Sequence, residues 1–420
     1  MRDSDQSFFR RFLGERLANL LTSRSARLSV GRVGGGIISA SWLIIMARSL
    51  DPISFSTVIL VLTLAFLTSI IHDGGQCVAL AKSVSLHPEM TRELLFVVLR
   101  RRVVLASVGL LLISLVFRII SEAPLLNILL VFPSVLCTVG YTTIFAVLRV
   151  QNSIKLETRN EIFSRLIMLM VGLSLLPWGL STYTVILLYS LADLATFLIV
   201  WKNYSHLLRN PSRQKIEQLV RKQLKLQSGL LLALTSAVGL LVSRIDPLLV
   251  AALSSDNEVS FFAIGSRFVE FSLVPIGAAV VMSIPKFSGA DNPEGLLTAA
   301  KEMAVYGVGV ALLLQVIAVS LPILFGAQYE SAIFPFRILT FSVVATSFGA
   351  LLLNWLTLNK PLLALCCVIL GLVSSIFAHS ILTSDLGATG AAISSASANL
   401  VIAAASFLSV VFVARSFRNV

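Results

Sequence analysis

Four charged residues interrupt two of the most apolar runs of this chain. Arg244 and Asp246 fall in 228–253, and Arg267 and Glu270 in 259–284. A charge in hydrocarbon is costly, so each must face protein or water. Arg244 lies about nine residues, roughly 13 Å of helix, from the outer end of its run; Arg267 lies about eight residues, roughly 12 Å, from the outer end of the next. Antiparallel neighbouring helices therefore bring the two guanidinium groups to similar depth. Two arginines in a cavity suit a pyrophosphate, because the planar fork grips oxyanions in pairs. The competing role is structural pairing. Arg267 and Glu270 are three apart and share a helix face, whereas Arg244 and Asp246 are two apart and need partners elsewhere.

Pro247 removes a helix donor and favours a kink, either a hinge or a static bend. Asp193, mid-way along 183–201, is a candidate to neutralise one of those arginines, to bind a coupling proton or cation, or to serve as a structural partner. Arg32, at the inner mouth of the first run, is placed to receive an anionic headgroup or to snorkel to lipid phosphate. His379, Asn354, Asn399 and Gln315 are candidates for a cavity lining or for interhelical hydrogen bonds.

The elements that hold these residues follow from composition. Of 420 residues, 56% are hydrophobic and 13% charged; a soluble domain carries about a quarter charged. The runs are too long and too continuous for the alternating strands of a barrel, so the expected fold is all-α and polytopic. About twelve membrane stretches are expected: 30–47, 53–71, 103–120, 124–148, 162–179, 183–201, 228–253, 259–284, 303–325, 333–358, 361–382 and 388–413. Lys and Arg fall in alternate connections, Arg100, Arg101, Arg102, Arg159 and Lys215 among them. About 28 of the 33 basic residues lie on that one side or at its membrane edge, which the positive-inside rule makes cytoplasmic, with both termini.

The net charge of +12 is thus spent on topology and anionic lipid, not on nucleic acid. Cys77, Cys137, Cys366 and Cys367 have no metal or redox spacing and read as packing residues. No metal, cofactor or nucleotide-phosphate motif is visible, nor a cleavable signal peptide. Gly307-Val308-Gly309 reads as close helix packing.

The longest polar connection, 202–227, separates two sets of six stretches and contains a plausible surface helix over 214–225. The expected organisation is a basic N-terminal segment (1–29) with an amphipathic interfacial character, an N-lobe (30–201), a basic linker (202–227), a C-lobe (228–413) and a C-terminal tail (414–420). A short echo links the halves: Ile53-Ser54-Phe55 follows Asp51, and Val259-Ser260-Phe261 follows Asp256.

Several segments resemble one family. Ala47-Arg48-Ser49-Leu50-Asp51-Pro52-Ile53-Ser54-Phe55 resembles the joint after the first helix of polysaccharide exporters. Arg244-Ile245-Asp246-Pro247-Leu248-Leu249 is similar to their seventh-helix segment. Ile323-Leu324-Phe325-Gly326-Ala327-Gln328-Tyr329-Glu330-Ser331-Ala332 is similar to their outer loop between helices nine and ten, and Gly387-Ala388-Thr389-Gly390-Ala391-Ala392 to the start of their last helix. The family is the O-antigen and lipid-linked oligosaccharide flippases of the multidrug/oligosaccharidyl-lipid/polysaccharide (MOP) exporter superfamily.

The resemblance implies two six-helix lobes around a central cavity, alternating access, and a polyprenyl-pyrophosphate-linked O-antigen, capsule or exopolysaccharide unit as cargo. It places the chain in a bacterial cytoplasmic membrane, beside membrane lipids and a polysaccharide polymerase or chain-length machinery. The first alternative is an ion-coupled multidrug exporter of the same superfamily, which commonly places acids in its cavity; the first stretch here has Arg32 and no acid. The second is a membrane glycosyltransferase or ligase. The first outer loop, 48–52, is too short for a catalytic loop, and no cluster of acids or histidines is visible, so the expectation is a non-enzyme.

Overall fold

The computed structural model describes residues 24–120, 124–150, 154–205, 230–283 and 293–418. The expected N-terminal interfacial segment and the linker helix over 214–225 lie outside the described residues. In chain order the helices are α1 (Arg24–Ser49), α2 (Pro52–His72), α3 (Gln76–Leu86), α4 (Thr91–Ile120), α5 (Leu126–Val150), α6 (Ile154–Leu175) and α7 (Thr182–Tyr204). Then come α8 (Leu230–Arg244), α9 (Asp246–Leu253), α10 (Asp256–Ser283), α11 (Pro293–Val319), α12 (Leu321–Phe325), α13 (Ile333–Asn359) and α14 (Pro361–Arg418). No strand occurs among the described residues.

Each expected stretch falls largely on helix. Among the described residues, eight helices are long and apolar enough to cross a membrane, or nine if the bent α8–α9 pair is one span. The number is below twelve partly because the last two stretches are joined in α14. It is also lower because the apolar helical segment Ile162–Trp178 is shorter than the spans counted. The chain is a multi-pass membrane protein. Its perimeter is correspondingly apolar: Leu111, Val316, Phe377 and Phe412 are all exposed, a pattern that suits lipid rather than water.

The joints have local causes. Asp51 caps α2, accepting a hydrogen bond from Ser54 N (3.1 Å), and Pro52 follows at the first helical position. That capping holds the Asp51 carboxyl below its usual range, and proline's missing N–H is no loss there. In α14 the helix breaks at Gly387 (φ +54°, ψ −131°). The chain restarts at Ala388, whose N–H donates to Glu258 Oε2 on α10 at 2.7 Å. At Gly307 a Cβ would stand 2.5 Å from Ser347 Oγ, so α11 and α13 do pack closely there; at Gly309 nothing lies within 4 Å.

One expectation is corrected. Arg100, Arg101 and Arg102 belong to the body of α4, which begins three turns before the expected stretch, and Arg159 belongs to α6, not to loops. Arg102 is buried at 2% exposure. It donates to His72 O (3.4 Å) at the end of α2 and to Thr142 Oγ1 (3.2 Å) and Thr143 on α5, and stands 3.4 Å from Asp73 Oδ1. Basic residues at a helix end read as loop in sequence, whereas here a buried arginine clips three elements.

Helices before the linker pack mainly on one another: α1 on α6, α2 on α4, α5 on α7. Those after it do the same, with α13 against α11, α10 and α14, and α8 and α9 against α14. The groups meet where α10 lies on α1 and α2 and α8 lies on α2. Contact is well developed at the α1–α2 joint. Arg48 donates to Ile323 O (2.7 Å), and Gln328 reaches Ala47 O (3.4 Å) and Leu50 O (3.5 Å). Beneath them Tyr329 is fully buried, its ring 6.0 Å from Phe55 and 6.3 Å from Phe261 and Phe325.

Candidate functional site

Proline 247 decides the geometry. It cannot donate into the ladder, and its ring crowds the carbonyl four residues back. The helix therefore breaks at Ile245, and the segments either side differ in direction by 47°. Arg244 is the last residue of α8 and Asp246 the first of α9, so the two charges take separate partners.

Arg244 turns to α10. Its Nη1 donates to Glu270 Oε1 (2.6 Å) and Oε2 (2.7 Å), while Arg267 Nη1 donates to Glu270 Oε2 (2.9 Å). The Arg244 guanidinium also lies 4.6 Å over the ring of Phe66 on α2, a cation–π contact across the two helix groups. The Arg244 Nε–H is buried without a hydrogen-bond partner among the described residues. The three residues line a cavity of about 320 Å³ that also meets Asp246, Asn354 and Asn399. With two guanidinium groups on one carboxylate, the triad keeps one positive charge in excess. Such a wall can hold an anion, with amides and hydroxyls to receive further oxygens.

Asp246 turns to α14. It accepts hydrogen bonds from Ser375 (3.2 Å) and Ser395, and Nε2 of the fully buried His379 stands 3.2 Å from its Oδ1, outside hydrogen-bond geometry. His379 Nδ1 meets Thr383 Oγ1 at 2.9 Å. Asp193 is not brought to Arg244 or Arg267. Its carboxylate accepts from Ser134 and from Tyr141 (3.2 Å), both on α5. Arg32 is in α1, and its side chain lies outside the described residues. Gln315 bonds Arg337 O (2.9 Å) and Thr340 Oγ1 (2.7 Å) between α11 and α13, away from the cavity wall. Asn354 and Asn399 do line the cavity, each anchored to a carbonyl of its own helix.

Sequence reading missed two features. Arg165 on α6 donates to Ser39 on α1; its place near a helix end gave no reason to separate it from the basic edge. The His379–Asp246 approach joins α9 to α14, and no spacing rule connects residues so far apart in the chain. Among the described residues, no three or more His, Cys, Asp or Glu side chains form a metal-binding group. Cys77, on α3, is half-buried, and burial pushes its thiol up to about 12, so it carries no reactive thiolate.

With this geometry described, three likenesses can be placed. A structure of the lipid II flippase MurJ in an inward closed conformation has a TM-score of 0.71 at 13% identity, covering 91% of this chain and 87% of that one. An inward-facing multidrug resistance MATE family transporter of the MOP superfamily has a TM-score of 0.68 at 16% identity, covering 93% and 99%. A MOP superfamily transporter from Pyrococcus furiosus, described as having a binding pocket of reverse polarity that suggests a different function, has a TM-score of 0.66 at 17% identity, covering 94% and 96%. At such identities these likenesses establish the fold alone. A comparison with curated proteins finds no match to the sequence. The family model described as "Polysaccharide biosynthesis protein" matches residues 23–290. The chain therefore belongs to the polysaccharide biosynthesis protein family and has the fold of the MOP superfamily transporters.

Proposed function

We propose that this protein is a flippase that moves a polyprenyl-pyrophosphate-linked oligosaccharide from the inner to the outer leaflet of a bacterial cytoplasmic membrane. The observation that carries the proposal is the Arg244–Glu270–Arg267 triad, two guanidinium groups on one carboxylate, on a cavity lined by helices of the second group. The diphosphate would be held there while the sugar crosses a polar cavity and the prenyl tail stays in lipid. This route spares the sugar hydroxyls the cost, kcal/mol each, of entering hydrocarbon unpaired. Arg32 is a candidate for first contact with the headgroup. In this reading 30–201 and 228–413 are the lobes, 202–227 is a cytoplasmic linker, both termini are cytoplasmic, and Pro247 marks the hinge of a moving segment. Asp193 and Asp246 belong to buried networks that couple helices within each lobe, or carry the coupling ion.

The MATE neighbours keep a second reading in view, export of cationic compounds. The Arg244–Arg267 pair disfavours a cationic cargo, and the Pyrococcus furiosus neighbour is itself described as having a binding pocket whose reverse polarity suggests a different function. Leaflet assay of the lipid-linked intermediate in a deletion strain separates the readings. We expect the finished intermediate to accumulate in the inner leaflet, with surface polysaccharide lost. Arrival in the outer leaflet at the wild-type rate, in a strain with no second flippase, rules the proposal out. An unfinished sugar would instead mark a transferase, and altered resistance to cations with intact surface polymer a drug exporter.

A further inference from the structure

We propose that Glu270 is an internal anion that the cargo's diphosphate displaces: it occupies the Arg244–Arg267 cleft between transport cycles and, on returning, helps expel the cargo. The identity of the displacing group rests on the flippase reading; the role of Glu270 rests on the triad's own geometry.

Among the described residues, two arginine–carboxylate contacts differ in form. Arg149 meets Glu157 with its full fork, Nε to Oε2 at 2.8 Å and Nη2 to Oε1 at 2.5 Å. That is the two-nitrogen pairing of a lasting clip. The triad differs. Arg244 gives a single nitrogen, Nη1, to both oxygens of Glu270, and Arg267 likewise gives Nη1. Neither fork faces the carboxylate. The Arg244 Nε–H is buried without a hydrogen-bond partner among the described residues. An orphaned buried donor is costly, and here it adjoins a cavity with room for a ligand that brings more oxygens than one carboxylate can.

The neighbours of Glu270 agree. Within the cavity wall, Glu270 faces Arg267 on its own helix, Arg244 on α8, Asp246 on α9 and, through Arg244, the ring of Phe66 on α2. Asp246 is already engaged with Ser375, Ser395 and His379. Asp246 keeps its charge, so the wall carries two guanidinium groups and two carboxylates, and of the two acids it is Glu270 that touches the arginines. A diphosphate diester brings two negative charges. With Glu270 in place the diphosphate would meet guanidinium groups already engaged by a carboxylate, so the diphosphate and Glu270 compete for the same two arginines. A tethered carboxylate competes at high effective concentration. It keeps the arginines oriented when no cargo is held, weakens cargo binding and speeds release.

The test is direct binding of inorganic pyrophosphate to the purified full chain in lipid nanodiscs, followed by titration calorimetry. Glu270→Gln keeps the shape and removes the charge; its Kd is expected to fall about tenfold. Glu270→Asp withdraws the carboxylate by one methylene and is expected to fall between the wild type and Glu270→Gln, so either variant carries the test if the other does not fold. Arg244→Ala is expected to lose binding. Tighter binding in the Glu270 variants, lost with Arg244→Ala, supports the proposal. Equal or weaker binding in both Glu270 variants, with Arg244→Ala still abolishing it, overturns the role of Glu270 and leaves the flippase reading standing. No binding in any form overturns both. Binding that survives Arg244→Ala shows that pyrophosphate sits elsewhere, and overturns the proposal.

Discussion

The triad ties one carboxylate to two cations, and this has a consequence for single substitutions. Removing both partners of a buried charge, or its only one, costs about 3–5 kcal/mol. Arg244→Ala or Arg267→Ala leaves Glu270 with one guanidinium, so each single variant is expected to fold and reach near-normal levels. Transport is expected to fall at least about tenfold in each, and Lys to restore it only in part, because it lacks the planar fork. The measurement is surface polysaccharide per molecule of membrane-inserted protein; normal export by both Ala variants would make the arginines structural. The sequence carried part of this site. Arg267 and Glu270 share a helix face by spacing alone, and they do meet at 2.9 Å. The Arg244–Glu270 contact was not legible, because it depends on how α8 crosses α10, and that is set by packing. The sequence left the partner of Asp193 open for the same reason: depth in a helix fixes height in the membrane but not which way the side chain turns, and here it turns to Ser134 and Tyr141.

At the scale of elements, the apolar runs located the helices because a membrane rewards continuous hydrophobicity and forbids unpaired backbone. Ends were harder to place. Three further turns of α4 precede the expected stretch because arginines at the membrane edge stay helical while reading as loop. The break before the last stretch was visible in the sequence as a glycine-rich segment, and its physical reason is specific. Gly387 has a positive φ, and a Cβ there would stand 2.5 Å from Glu258 Oε2, the oxygen that accepts the Ala388 N–H. Gly387→Ala is therefore expected to cost about 1–3 kcal/mol through backbone strain and the displaced cap. It should lower the thermal midpoint of the detergent-solubilised protein. Glu258→Gln retains an acceptor and is expected to cost less. A Gly387→Ala protein as stable as the wild type would show that this turn relaxes without penalty.

At the scale of the whole molecule, alternating access requires the two helix groups to close at one end while opening at the other. The contacts at the α1–α2 joint have the form of a gate. Arg48 and Gln328 make polar contacts on the surface, and a buried aromatic cluster lies beneath. Such a seal must also be breakable. Here the polar part of the seal is a few hydrogen bonds of about 0.5–1.5 kcal/mol each. From the charge asymmetry of the loops we expect this end to lie outside. The resulting prediction joins topology and mechanism. In a protein whose native cysteines have been replaced, Arg48→Cys and Ile323→Cys are introduced together, since the native Arg48 guanidinium lies 2.7 Å from Ile323 O and both residues are exposed. A membrane-impermeant bifunctional methanethiosulfonate added to intact cells is expected to bridge them and stop transport, and reductant to restore it. Each single-cysteine variant should be labelled and stay active. If bridging needs a permeant reagent, the orientation is reversed. If a verified bridge forms and transport continues undiminished, this end does not open during the cycle, and the rocking mechanism fails whatever the cargo is.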